Sequence, residues 1–212
     1  MLRLYFAPHT CALATHIALI DAGADYDLRR IDFATTQQRS ADYLAINPKG
    51  RVPALVTDRG VLTETPAMLA FVAQTFADRR LAPLGDPFAF AEVQAFNSYL
   101  CSTVHIAHAH RMRGYRWATE ESSFADMKRM VPQSVGDSFA AIEDHMLRGP
   151  WVMGETYTIA DPYLFTLAQW LEADGVDTAR IPRIMAHRAR MADLPNVRRA
   201  IAEEIGTLQT SS

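Results

Sequence analysis

The chain has 212 residues, of which 49% are hydrophobic and 21% charged, and its formal net charge is −3. This balance argues against a protein that binds nucleic acid or a membrane surface. No apolar run reaches the roughly 18 residues that a membrane-spanning helix needs. Only two cysteines are present, and the N-terminus lacks the apolar segment of a signal peptide. We therefore expect a cytoplasmic protein with free thiols.

The first 78 residues predict a β-α-β-α-β-β-α order. Apolar residues alternate over 2–6 as in a strand, and Leu13, Ile17 and Ile20 then share one face of a helix that starts at Thr10. Alternation resumes over 25–33, which predicts a β-α-β crossover with parallel strands.

The rest of this α/β region contains a short helix, a hairpin and a longer helix. The short helix is predicted over 40–46, and the hairpin pairs 51–56 with 61–63. The longer helix is expected to begin with Thr65 as N-cap and Pro66 as its first residue, with a buried face formed by Met68, Leu69 and Val72.

Residues 79–87 contain two prolines and a glycine and predict a linker. An all-α region is expected over 88–212, and Thr158 to Asp161 resembles a capping box. Its predicted helices span 88–111, 122–147, 159–173, 182–192 and 197–205.

Cys11 is the first candidate for chemistry, because it lies at the start of the first helix. Unpaired N–H groups and the helix dipole favour a thiolate there, which predicts a pKa lowered toward neutrality. The alternative is a buried, inert cysteine. Ala14 stands where a C-x-x-C motif would have its second thiol, so dithiol chemistry is not expected.

Two further positions point to a ligand. Pro53 opens a predicted strand, and a cis Val52–Pro53 bond would present the backbone of Val52 to a peptide-like ligand; an edge-strand proline is the alternative. Glu64 and Thr65 precede a helix, where a carboxylate and free N–H groups could hold both ends of an α-amino acid, although a plain N-cap explains them as well.

These stretches resemble the glutathione transferases, and most closely their bacterial beta class. The matching segments are YFAPHTCALATHIAL, NPKGRVPAL, TETPAMLAF and TIADPYLF. The resemblance implies a thioredoxin-like domain at 1–78 that binds glutathione, and a helical domain at 88–212 that forms an acceptor pocket. It implies that Cys11 and His105 are catalytic. The implied glutathione-binding residues are Thr36, Arg51, Val52, Pro53, Glu64, Thr65 and, from the partner subunit's long helix, the positions of Ser98 and Thr103.

Several positions depart from the beta-class pattern. Ala12 replaces a serine, so a hydroxyl donor to the thiolate is expected to be missing. Thr36 replaces a lysine, while Ser98 and Thr103 replace an asparagine and a glutamate. These changes predict weaker contacts with glutathione.

Histidines 105, 108 and 110 could suggest a metal site, but a third ligand at a suitable spacing is lacking, so we predict none. Basic and aromatic residues near them predict an acceptor pocket, with solvated residues at a helix end as an equal alternative. The pocket residues would be His9, His108, Arg111 and Tyr115, with Arg113 and Trp117 at its border. Cys101 is expected to be a core residue.

The resemblance thus predicts a homodimeric enzyme that transfers the glutathione thiol to an electrophilic or disulfide-containing co-substrate. The subunits would meet along the helix that begins at Pro66 and the predicted helix 88–111, whose apolar residues include Phe88, Phe90, Val93 and Phe96. Glutathione would be a co-substrate, with no permanently bound cofactor. The alternatives are a glutathione-dependent isomerase or dehalogenase, or a non-catalytic interaction protein of the same fold.

Overall fold

The N-terminal region is built on a four-stranded mixed sheet in a computed structural model that describes residues 1–209. The strands are β1 (Leu2–Phe6), β2 (Tyr26–Arg30), β3 (Ala54–Thr57) and β4 (Gly60–Thr63), in the spatial order β2-β1-β3-β4. Strand β1 pairs in parallel with β2 and antiparallel with β3, and β3 pairs antiparallel with β4. The predicted parallel β1–β2 pair and the hairpin are confirmed.

Three helices accompany this sheet: α1 (Ala12–Asp21), α2 (Ala41–Ile46) and α3 (Thr65–Thr75). The element order is the thioredoxin-like order predicted from the sequence. Several boundaries differ from the prediction by a residue or more, and two of them concern the candidate site. Glu64, not Thr65, is the N-cap of α3, and β3 begins only after Pro53, which has no N–H to contribute to a strand ladder.

The described residues after position 86 are mainly helical, as predicted. Residues Leu100–Val104 form a π-helical segment that joins α4 to α5, and Ile142–Met146 extends α6 in the same way. Residues 210–212 of the predicted helical domain lie outside the described residues. The helices are α4 (Pro87–Tyr99), α5 (His105–Arg113), α6 (Glu121–Ala141), α7 (Ala160–Ala168), α8 (Pro182–Asp193) and α9 (Pro195–Gln209).

Helix α1 lies at the centre of the molecule. Every residue from Ala12 to Ile20 is buried, and the helix contacts α3, α7 and α9. A helix that is apolar on all sides is stable only when it is covered on all sides. One hydrophobic cluster therefore runs from the sheet through α1 into the helical region, and it includes the predicted face of Met68, Leu69 and Val72.

The capping motif at the start of α7 forms a buried polar centre. The Asp161 carboxylate accepts hydrogen bonds from the backbone N–H groups of Thr158 at 2.7 Å and Val152 at 2.8 Å. The His187 ring lies 3.0 Å from the same carboxylate. Asp161 thus connects α7 to α8 and to the segment before α7, a larger role than the predicted helix cap.

Over residues 1–209, the structure contains no helix whose length and apolar character would let it cross a membrane.

Candidate functional site

A cavity of about 340 Å³ lies between the N-terminal ends of α1 and α3 on one side and α5 on the other. It collects most of the residues that the sequence singled out: His9, Cys11, Arg51, Val52, Pro53, Glu64, Thr65, His105, His108 and Tyr115. These come from five separate stretches of the chain, which the fold brings to one place.

Four predicted site residues are not among those lining the cavity. Thr36 is exposed in a left-handed conformation with φ 56°. Ser98 and Thr103 are exposed on α4 and the π-helical segment; their assignment to a partner subunit's site stays a prediction. Arg111 was wrongly placed in the acceptor pocket. Its guanidinium donates to the carbonyl of Ala173 and lies beside the carboxylate of Asp174, because it faces the turn after α7.

Cys11 is the N-cap of α1, and its side chain is 8% exposed. Burial raises the pKa of the thiol to about 11, although the Thr65 hydroxyl and the positive charge of Arg113 act in the opposite direction. The expected lowering of the pKa was therefore wrong, because loss of hydration outweighs the helix terminus.

The contacts of Cys11 are consistent with a protonated thiol. Its sulfur lies 3.8 Å from the carbonyl oxygen of Val52, to which only the S–H form can donate. The first backbone N–H of α1, that of Ala12, is bonded to the Thr10 hydroxyl at 3.3 Å and so is not directed at the sulfur.

Thr65 supplies a hydroxyl near Cys11, where Ala12 replaces the serine of the beta-class pattern. Its side chain acts on Cys11 in the direction that lowers the pKa of the thiol. Ala12 is fully buried and has no hydroxyl. The hydroxyl near Cys11 comes instead from Thr65, at the start of α3. The expectation of a missing donor was wrong, because it considered only the neighbour in sequence.

The Val52–Pro53 peptide is cis, as predicted. The segment before it is held firmly, since the Tyr43 hydroxyl and the Asn47 amide both donate to the Arg51 carbonyl at 2.6 Å. This pair of hydrogen bonds fixes the position of the backbone at the cavity wall.

Glu64 has a backbone that side-chain-bearing residues rarely adopt, with φ 71° and ψ 120°. Its carboxylate lies 2.5 Å from the ammonium group of Lys49, which also donates to Thr63 at 2.7 Å. Such a conformation costs on the order of 1–3 kcal/mol and is concentrated at functional sites. The strain places the carboxylate on the cavity wall.

The two histidines on α5 differ in character. Burial, with the charges of His108 and of Arg113, Arg116 and Arg51, lowers the pKa of His105 to about 3, so this ring is neutral at physiological pH. The Nδ1 of His108 instead lies 2.7 Å from the carboxylate of Asp174.

Cys101 was predicted as a core residue, but it is only partly buried and lines the same cavity as Cys11. Burial raises its pKa, while a hydrogen bond with the hydroxyl of Tyr163 has the opposite effect. The π-helical segment that carries Cys101 explains the error, since helical periodicity cannot be read through it.

Other lining residues carried no recognisable sequence signal. They include Phe33, Arg39, Arg116 and Trp170. They lie far from Cys11 along the chain, so no short sequence motif could place them beside it. Trp117 and His110, by contrast, pack against each other with ring centroids 4.5 Å apart and are not lining residues. Within residues 1–209, no three histidine, cysteine or carboxylate side chains are arranged to hold a metal ion.

Comparisons with known proteins agree with this arrangement. Residues 1–74 match the model of the glutathione S-transferase N-terminal domain, and residues 128–203 match that of the C-terminal domain. The chain is 30% identical to glutathione S-transferase GstA of Escherichia coli O157:H7, over 96% of this chain and 98% of that protein.

Two further relatives show the range of similar proteins. A Sulfitobacter glutathione transferase homologue, whose crystal structure contains bound glutathione, is 46% identical with a TM-score of 0.92, over 97% of this chain and 98% of that one. Maleylacetoacetate isomerase of Pseudomonas aeruginosa is 28% identical over 91% of this chain and 90% of that protein.

Proposed function

Because the chain belongs to the glutathione S-transferase family, we propose that it transfers the sulfur of glutathione to a small electrophilic co-substrate. The observation that carries this proposal is the single cavity in which Cys11, Val52, Glu64 and Thr65 meet beneath the helix starts of α1 and α3. A relative with 46% identity contains glutathione in its crystal structure.

The charge of the cavity supports an anionic ligand such as glutathione, which has two carboxylates. Four arginines line the cavity: Arg39, Arg51, Arg113 and Arg116. Glu64 is the one carboxylate among the lining residues described, and it is already paired with Lys49. An anionic tripeptide would therefore enter a site with excess positive charge.

We assign the parts of glutathione to these groups by their chemistry. The ammonium of the γ-glutamyl end would bind the Glu64 carboxylate, and its carboxylate would bind Thr65 at the start of α3. The cysteinyl backbone would pair with Val52, which places the sulfur next to Cys11 and His105. The guanidinium of Arg51 is the group assigned to the glycyl carboxylate in place of the exposed Thr36.

The proposed chemistry uses the glutathione sulfur as nucleophile. A protonated Cys11 and the Thr65 hydroxyl donate hydrogen bonds to the glutathione thiolate, and neutral His105 can donate its ring N–H. A lone pair of the sulfur forms the new bond to carbon, and the leaving group departs with its bonding pair. Because burial raises the pKa of Cys11, exchange through a Cys11 thiolate is proposed as the slower activity.

Several finer features are part of the same proposal. We assign the chain to the bacterial beta class on the motifs around Cys11, Pro53, Glu64 and His105. We also propose a division into domains at 1–78 and 88–212 with a linker at 79–87, a cytoplasmic location, and a homodimer.

Calorimetric titration with glutathione, followed by an assay with chlorodinitrobenzene, tests the proposal. The wild-type protein should bind glutathione and release chloride from the acceptor. Cys11→Ala should retain most of this conjugation but form no mixed disulfide with oxidised glutathione, as read by intact mass; Cys101→Ala is the matched control and should retain both. Absence of glutathione binding would contradict the proposal, and binding without turnover of any electrophile would favour a non-catalytic protein.

A glutathione-dependent isomerase is a second candidate, favoured by the isomerase relative and by the arginines of the cavity. In this reaction the sulfur adds to a cis double bond, the bond rotates, and the sulfur leaves again. Glutathione is then required but not consumed. Incubation with a cis-configured unsaturated dicarboxylate separates the two functions, since an isomerase yields the trans acid and a transferase yields a glutathione adduct.

A further inference from the structure

His108 and Asp174 form a carboxylate–imidazole pair at the wall of the cavity. The Nδ1 of His108 lies 2.7 Å and 3.0 Å from the two carboxylate oxygens of Asp174. The Asp174 side chain is 2% exposed, whereas that of His108 is 18% exposed. Arg111 lies 3.6 Å from the same carboxylate and so balances its charge.

The ring of His108 is fixed by its other neighbours. It stacks on the indole of Trp170, with centroids 4.1 Å apart and planes at 24°. The Trp170 indole N–H donates to the carbonyl of His9 at 3.2 Å, which connects this stack to the loop that carries Cys11. The imidazole is thus held in one orientation relative to the start of α1.

This arrangement leaves the second ring nitrogen for chemistry. His108 lines the cavity, its Nδ1 is taken by Asp174, and its Nε2 forms no hydrogen bond with the side chains described over residues 1–206. A carboxylate that accepts from Nδ1–H fixes the orientation of the ring, and the imidazolium form of such a ring carries its second proton on Nε2, where it can be given to a substrate. His105 cannot take this role, because its lowered pKa keeps it neutral.

We propose that His108, positioned by Asp174, is the general acid that protonates the co-substrate when glutathione adds to an electron-poor double bond. This inference rests on the proposed transferase function and concerns the residues that serve acceptors of the α,β-unsaturated carbonyl type. The glutathione sulfur forms a bond to the β-carbon, and the π electrons move toward the carbonyl group. The Nε2–H of His108 then gives its proton to the α-carbon, and the proton lost by the glutathione thiol restores the ring through solvent. No further reactant is needed.

The role of His108 is tested with two acceptors, only one of which must be protonated during the reaction. Chlorodinitrobenzene loses chloride and needs no proton, whereas benzylideneacetone needs one at its α-carbon. His108→Gln should lower kcat for benzylideneacetone about a hundredfold, a much larger loss than the same variant shows with chlorodinitrobenzene. Asp174→Asn should show the same selectivity with a smaller loss. His110→Gln, on the same helix but outside the cavity lining, is the matched control and should leave both activities unchanged.

A stereochemical readout separates proton transfer from a purely structural role. In deuterium oxide the wild-type enzyme should place deuterium on one face of the α-carbon, as read by NMR of the adduct, and His108→Gln should place it on both. The role of His108 would be overturned if His108→Gln lowered kcat equally with both acceptors, or if it still placed deuterium on one face of the α-carbon. Either result would leave the transferase function in place. Turnover of chlorodinitrobenzene alone by the wild type would also overturn the role of His108. If the wild type turns over neither acceptor, the transferase proposal fails and this inference fails with it.

Discussion

Cys11 shows how one residue's surroundings can reverse an expectation based on its position in a helix. A cysteine at a helix start is expected to be acidic, yet burial raises the pKa of this thiol to about 11. In a Cys101→Ser background, we expect iodoacetamide to modify Cys11 slowly at neutral pH, with a rate that increases with pH toward this value. The rate is measured by intact mass across a pH series.

Arg113 provides the matching control for this prediction, because its charge partly opposes the burial effect. Arg113→Gln should raise the pKa of Cys11 further and slow alkylation at every pH below it. A modification midpoint below the value of a free thiol, about 8.5, would show that the helix terminus dominates after all.

Glu64 combines a strained backbone with a carboxylate on the cavity wall. Glu64→Gln should weaken glutathione binding about tenfold or more, since a hydrogen bond to a charged group contributes about 1.5–3 kcal/mol. Calorimetric titration measures this change. An unchanged dissociation constant would remove Glu64 from the binding site.

Glu64→Gly separates the binding role from the backbone strain. Glycine adopts a φ of 71° without steric cost, so this variant should lose glutathione affinity like Glu64→Gln. Its free energy of unfolding should be no lower than that of Glu64→Gln, as read from urea titration. Such a result would show that the strained backbone of Glu64 is needed for glutathione binding and does not stabilise the fold.

At the scale of single elements, Asp161 fixes the start of helix α7 through its contacts with the preceding segment and with α8. Its buried carboxylate bonds two backbone N–H groups and the His187 ring. Asp161→Ala should lower the free energy of unfolding by about 3 kcal/mol, the cost of removing one partner from a buried pair. Urea titration gives the value. Asp177→Ala is the control, since that residue caps an exposed turn and should cost about 1 kcal/mol. Equal effects of the two substitutions would contradict the central role of Asp161.

The sequence predicted the elements better than their ends. Helix α7 ends at Ala168 rather than 173, because the chain then turns to bring Trp170 and Asp174 to α5. Apolar residues continue past Ala168, so the periodicity gave no sign of this turn. The sequence also did not predict Glu64 as the N-cap of α3. Its φ is positive, which is unusual for a residue with a side chain, and nothing in the sequence signals it.

At the scale of the whole molecule, the cavity depends on contacts between distant parts of the chain. Cys11, Val52 and Glu64 could be predicted because they belong to motifs of the N-terminal region. Asp174 and Trp170 could not, because they reach the cavity only after the helices have packed. The Thr65 hydroxyl beside Cys11 is a similar case, since 54 positions separate the two residues in the printed sequence.

A homodimer interface along α4 would use fewer apolar residues than the sequence suggested. Val93 and Phe96, which the sequence suggested for the interface, are buried within the chain's own core. Phe88 at the start of α4 is 75% exposed, so it is the apolar residue of this set that remains to be covered. A large exposed apolar side chain costs free energy that a second copy of the chain would recover.

Light scattering should therefore give a mass about twice 23.6 kDa at micromolar concentration. Phe88→Asp should shift the protein toward monomer, while Met112→Asp, at a side chain that is 71% exposed on α5, should not. If Ser98 and Thr103 reach the partner's ligand, the Phe88→Asp monomer should also bind glutathione more weakly at equal concentration. A wild-type mass of one chain would exclude the dimer, and full affinity in a monomeric variant would confine the glutathione site to a single subunit.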